Sequence, residues 1–92
     1  MIRGFSHQGL QDFLQTGSKA GIRPEHAKRL RLMLAKLHTA VDIRDMNFPG
    51  ADLHPLHGER EGFWAVSVSG NRRVVFRFNN GDAFDVDYLD YH

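Results

Sequence analysis

Two histidines stand three positions apart around a proline in LHPLHG, residues 53–58, and the chain closes on DYH, residues 90–92. Imidazole, with an ordinary pKa of about 6.5, gives and takes protons near neutrality, and it is also a common metal ligand. His54, His57 and His92, with Asp90 close to the last, therefore suit proton transfer, metal ligation or plain surface. His54 and His57 lie in a proline-containing loop rather than at i, i+4 on a helix, so their spacing matches no common zinc motif. The expectation is a site without metal or other cofactor. Arg73 adds a planar guanidinium that can hold a phosphate through two N–H bonds. His7, His26 and His38 fall on or beside predicted helices and are expected at the surface.

Residues 1–92 are read as one domain, large enough for a single hydrophobic core. Apolar residues make up 41% and charged residues 25%, which fits a folded chain and excludes extended disorder. The sequence has no Cys, so disulfide scaffolds, thiolate metal centres and cysteine nucleophiles are excluded. MIRGFSHQGLQDFL lacks an apolar signal core, and no stretch approaches the roughly 18 apolar residues of a membrane span. A cytoplasmic protein without membrane contact is expected. The net charge of +1 hides an asymmetry: residues 81–92 carry four Asp and no Lys or Arg, which leaves twelve basic groups against seven acidic ones before them. Lys19, Lys28, Arg29, Arg31 and Lys36 form the densest basic run, either a polyanion-binding face or a solvated helix surface.

Those side chains need elements to position them. Ile2 to Phe5 suits a short edge strand. Leu10, Phe13 and Leu14 recur at helical spacing, and Gly17 supplies a stop. Pro24 suits the first turn of a second helix, in which Ala27, Leu30, Leu34, Leu37 and Val41 form an apolar stripe. Residues 42–62 hold two prolines and three glycines and read as a crossing loop, with a short strand in Leu53 to Leu56. FWAVSVSG, NRRVVFRF and AFDVDYL, joined by turns at Gly70-Asn71 and Asn79-Asn80-Gly81-Asp82, read as three antiparallel strands. Alternation places Val74, Phe76 and Phe78 on one face with Arg73, Val75 and Arg77 on the other, and groups Phe84 with Val86 and Tyr88. Asp85 or Asp87 then stands within reach of Arg77. The predicted fold is α+β: two helices cover one sheet face and leave the other for polar chemistry.

The motifs L-H-P-L-x-G-x-R-x-G-x-W, N-x-R-V, N-G-D-A-F and the closing D-Y-H, all between Leu53 and His92, together resemble the HigB branch of the RelE/ParE toxins of bacterial toxin–antitoxin systems. The resemblance implies a RelE-like fold with two N-terminal helices packed on a twisted, mainly antiparallel sheet. It implies a messenger RNA endonuclease acting in the A site of the small ribosomal subunit, by metal-free attack of the 2′-hydroxyl on the adjacent phosphorus. That chemistry needs a base, an acid and a cation for the phosphorane. His54, Arg73, Asp90, Tyr91 and His92 match the family's active positions. Which histidine is the base stays open, as does whether Asp90 acts as base or orients an imidazole, and whether Tyr91 stacks a nucleobase or donates to phosphate.

Two positions depart from the family pattern: His57 stands where a lysine is expected and Arg72 where an aromatic residue is expected, and both are candidate substrate contacts. The implied partners are a HigA-like helix-turn-helix antitoxin and the ribosome, the latter met through Lys19, Lys28, Arg29, Arg31 and Lys36. Operator DNA would be bound only through the antitoxin complex. The competing class is a binding module, either a ParE-like gyrase inhibitor or an inactive toxin. The combination of His54, Arg73 and the DYH terminus separates the readings, since an inhibitor has no chemical reason to assemble it.

Overall fold

The alternating apolar runs of the second half form a four-stranded antiparallel sheet in sequence order, seen in a computed structural model that describes residues 1–91. Its strands are β1 (His54–Pro55), β2 (Phe63–Ser69), β3 (Arg72–Asn79) and β4 (Asp82–Asp90). The hairpin between β3 and β4 turns on Asn80-Gly81, with φ of 50° and 83°, the double positive φ that a two-residue type I′ turn demands. Gly70 takes a positive φ of 54° in the turn between β2 and β3. The N-terminal segment lies along β4 through parallel bridges from Ile2 to Ala83 and from Phe5 to Val86, close to the expected edge strand.

Two helices precede the sheet, α1 (Gln8–Thr16) and α2 (Ala27–Thr39). Gly17 ends α1 in the left-handed conformation, as its sequence position suggests. Pro24 to His26 form a 3₁₀ turn leading into α2. The start of α1 meets the connector where Gly9 and Gly21 touch: a Cβ built on Gly9 would overlap the Gly21 carbonyl oxygen. A side chain at either position would force the two segments apart.

One core joins the layers. Leu10 and Phe13 of α1, and Ala27, Leu30, Met33, Leu34 and Leu37 of α2, are buried in a cluster with Val66, Val68, Val74, Phe76, Ala83, Val86 and Tyr88. Each large apolar side chain withdrawn in this way contributes about 1.5–3 kcal/mol. The helical stripe is one residue shorter than expected: Val41 lies beyond the end of α2 and is 79% exposed, while Met33 occupies the core. Leu14 is also exposed, because α1 buries only Leu10 and Phe13.

The expected alternation fails at one point in β4. Arg77 pairs with Phe84 and Val75 with Asp87, so β4 spends one more residue than β3 across this step. Asp85 absorbs the extra residue with a φ of 53°. The bulge reverses the parity of everything before it: Ala83 joins Val86 and Tyr88 in the core, and Phe84 turns outward.

Candidate active site

On the sheet face away from the helices, the register aligns His54, Ala65, Val75 and Asp87 in one row, and Ser67, Arg73 and Leu89 in the next. Strands about 4.8 Å apart and a two-residue step of roughly 6.8 Å separate the backbones of His54 and Arg73 by roughly 12 Å. Two long side chains can close on a single phosphodiester across that span. Arg77 forms the row beyond, opposite Phe63, and pairs with Asp85 at 3.6 Å while its guanidinium lies 4.7 Å from the Phe63 ring centroid. The cross-strand ion pair expected for Arg77 is therefore present.

The local chain orients His54. Its Nδ1 lies 2.8 Å from the backbone carbonyl of Asp52, a residue held at a φ of 49°. A carbonyl only accepts, so Nδ1 carries the proton and donates it. The neutral ring then presents an unprotonated Nε2, the form that a general base needs. Arg73 is half-buried and curls toward the hairpin turn, its Nη1 donating to the carbonyls of Gly70 at 2.6 Å and Arg72 at 3.1 Å. His57 is exposed ahead of a short 3₁₀ turn, two residues past β1.

Asp90 and Arg72 stand elsewhere. They pair directly across β3 and β4, one residue out of step with Arg73 and Leu89, and so take the parity of Val74 and Tyr88 on the helix side. Arg72 Nε lies 4.0 Å from Asp90 Oδ2, and the Arg72 guanidinium lies 4.9 Å from the Tyr88 ring centroid. With Arg23, His26, Ser69 and Asn71 they line a cavity of about 240 Å³ at the end of the sheet. Tyr91 continues the register, its N–H donating to the Asn71 carbonyl at 2.7 Å, which returns this position to the parity of Leu89 and Arg73. Among the described residues the expected convergence in one mouth thus divides at the sheet's end, Arg72 and Asp90 taking the helix side and His54, Arg73 and Tyr91 the other. His92 lies outside the described residues. Among those residues, no three His, Asp or Glu side chains gather as a metal-ligand set.

The basic run also divides. Lys19, Lys28 and Arg31 are exposed, and Lys36 lies partly over the Phe48 ring. Arg29 is an internal strut instead: it donates to the carbonyls of Gly50 at 2.9 Å and Ser67 at 3.2 Å and covers Phe48, tying α2 to the crossing loop and β2. Lys28, Arg29 and Arg31, with Glu25, Leu32 and Ala35, line a groove of about 680 Å³ along α2. No helix among the described residues is long and apolar enough to cross a membrane.

His26, expected at the surface, is not there. It is buried against β4, with Nδ1 2.5 Å from the Tyr88 hydroxyl. Burial raises the pKa of the Tyr88 phenol, the largest of the influences on it, and keeps the ring neutral. His7 and His38 also have structural tasks: His7 caps α1 by accepting the Leu10 N–H at 3.1 Å, and His38 accepts the Ile2 N–H at 3.3 Å. Only His38 of the three is fully at the surface. The histidine before Gln8 at the helix start was a usable hint for His7, whereas His26 pairs with a residue sixty-two positions away and had no local signal.

Comparison with known proteins agrees with the sequence motifs. The chain is 39% identical, over the full length of both proteins, to the endoribonuclease HigB of Proteus vulgaris. Its fold matches a chain of the YoeB–YefM complex from Staphylococcus aureus with a TM-score of 0.62, covering 100% of this chain and 98% of that one at 14% identity. Residues 3–92 match the family model for HigB-like toxins, RelE-like toxins of type II toxin–antitoxin systems, and the chain belongs to that family.

Proposed function

We propose that this protein is an endoribonuclease that cleaves messenger RNA in the ribosomal A site, and that a HigA-like antitoxin neutralises it. The full-length likeness to a HigB endoribonuclease supports the nuclease activity. The observation that carries the mechanism is the Asp52 carbonyl behind His54, which leaves Nε2 as a proton acceptor on the open face that also bears Arg73. His54 takes the proton of the 2′-hydroxyl. The 2′-oxygen bonds to phosphorus as the bond to the 5′-oxygen breaks, leaving a 2′,3′-cyclic phosphate and a 5′-hydroxyl. His92 protonates the departing 5′-oxygen, and Arg73 neutralises charge on the phosphorane. Tyr91, at the parity of Arg73, stacks on a nucleobase or donates to the phosphate.

His57, exposed on the loop after His54, contacts the RNA. Lys19, Lys28, Arg31 and Lys36 supply phosphate contacts to ribosomal RNA without reading sequence. Arg29 is left out of that footprint because its guanidinium is engaged internally. The antitoxin partner follows from family membership, and a HigA-like chain with a helix-turn-helix would carry operator binding for the complex.

Primer extension on messenger RNA incubated with the protein, with and without programmed ribosomes and with chelator throughout, tests this reading. The expected result is ribosome-dependent, chelator-resistant cuts inside codons that disappear in His92→Ala. Cuts that need no ribosome remove the A-site reading, and their loss in chelator removes the metal-free mechanism.

A further inference from the structure

His26 is the buried polar side chain of the helix layer among the described residues, 8% exposed, and the acid/base chemistry of the open face does not use it. It stands where the 3₁₀ turn of Pro24 to His26 passes into α2. Tyr88 Oη and His26 Nδ1 share a hydrogen bond at 2.5 Å, which joins the start of α2 to β4. The Tyr88 ring is held edge-on by two imidazoles, His7 at 5.5 Å and 69° and His26 at 6.1 Å and 86°. These belong to the caps of the two helices. The ring is packed from two sides, and the Arg72 guanidinium rests on it while facing Asp90. Tyr88 precedes Asp90 by two residues on the same strand.

We propose that the His26–Tyr88 hydrogen bond is a positioning device for the ribonuclease site: it sets the platform for Arg72, Arg72 sets Asp90, and Asp90 fixes Tyr91, which continues the register at the parity of Arg73. His26, Tyr88 and Arg72 are positioning residues, and none touches the reacting atoms. This inference rests on the reading of the tail given above. Its physical basis is that a shift of about 1 Å in an acid or base costs up to roughly 10²-fold in rate, so a tail anchored only by its own backbone would be a poor catalyst.

Three variants test it: His26→Leu and Tyr88→Phe, which remove the hydrogen bond while keeping bulk, and His26→Asn, which keeps an acceptor near the Nδ1 position. Each is assayed for single-turnover cleavage of messenger RNA on programmed ribosomes and for hydrogen exchange at the Tyr91 N–H. His26→Leu and Tyr88→Phe should lower the maximal rate about 10- to 10²-fold at unchanged half-saturating ribosome concentration, and speed exchange at Tyr91. His26→Asn should recover most of both. Wild-type rates and exchange in the first two variants overturn the proposal, and so does a loss that His26→Asn fails to repair, which marks a packing role. Hydrogen exchange separates this claim from its foundation: if the wild-type protein does not cleave, the ribonuclease reading falls while fast Tyr91 exchange in His26→Leu still supports the clamp, and wild-type cleavage with wild-type Tyr91 exchange in Asp90→Asn overturns the relay.

Discussion

On the helix side of the sheet's end, polar groups are matched within the protein: His26 with Tyr88, Tyr88 beneath Arg72, and Arg72 against Asp90. On the open side, His54 and Arg73 bond to backbone carbonyls that hold their geometry without cancelling a charge. Both faces belong to the same strands, and Arg72 and Arg73 are neighbours in the chain. The difference teaches how one short sheet serves two purposes. A paired network fixes position, since breaking it leaves an unmatched polar group, whereas a carbonyl-oriented imidazole or guanidinium keeps its chemistry for a substrate.

Removing a reacting group from the open face should have the largest effect. His54→Ala is expected to slow cleavage by about 10²- to 10⁴-fold while leaving the thermal midpoint near wild type, measured by quantified primer extension beside a melting curve. A variant that cleaves normally would move the base elsewhere and erase the contrast between the faces. Next is the covered side, where Phe76 is fully buried in the core that the sheet shares with the two helices. Phe76→Ala should cost about 3–5 kcal/mol in urea unfolding, a large part of the stability of a domain this size. The smallest effect is expected at Arg77 and Asp85, an exposed pair on the open face. A double-mutant cycle to Ala should return less than about 1 kcal/mol, with cleavage within about twofold of wild type. A large loss of cleavage in Arg77→Ala would extend the active face by one row.

The strands were legible because alternation has a period of two and the hairpin signals lie within four residues. Gly17, Pro24 and Asn80-Gly81 declared themselves for the same reason: each supplies a backbone angle that few other residues tolerate. Positions that depend on distant contacts carry no such local mark. Nothing local marks Asp85 as the bulge that turns Phe84 outward and Ala83 inward. Arg29 looked like its basic neighbours until the crossing loop brought the Gly50 and Ser67 carbonyls to it. Residue type alone suggests the surface for His26, but the tertiary packing buries it against Tyr88.

The sequence by itself determined the α+β order of elements, the pairing of the last three strands and the family, because periodicity, turn chemistry and motif spacing are properties of short stretches of chain. Only the tertiary structure decided which polar groups work together. Strand register sent Arg73 to one face and Arg72 with Asp90 to the other, and the packing of two helix caps brought His7 and His26 onto the ring of Tyr88. Contacts of that kind join residues far apart in sequence, so no local pattern encodes them before the chain folds.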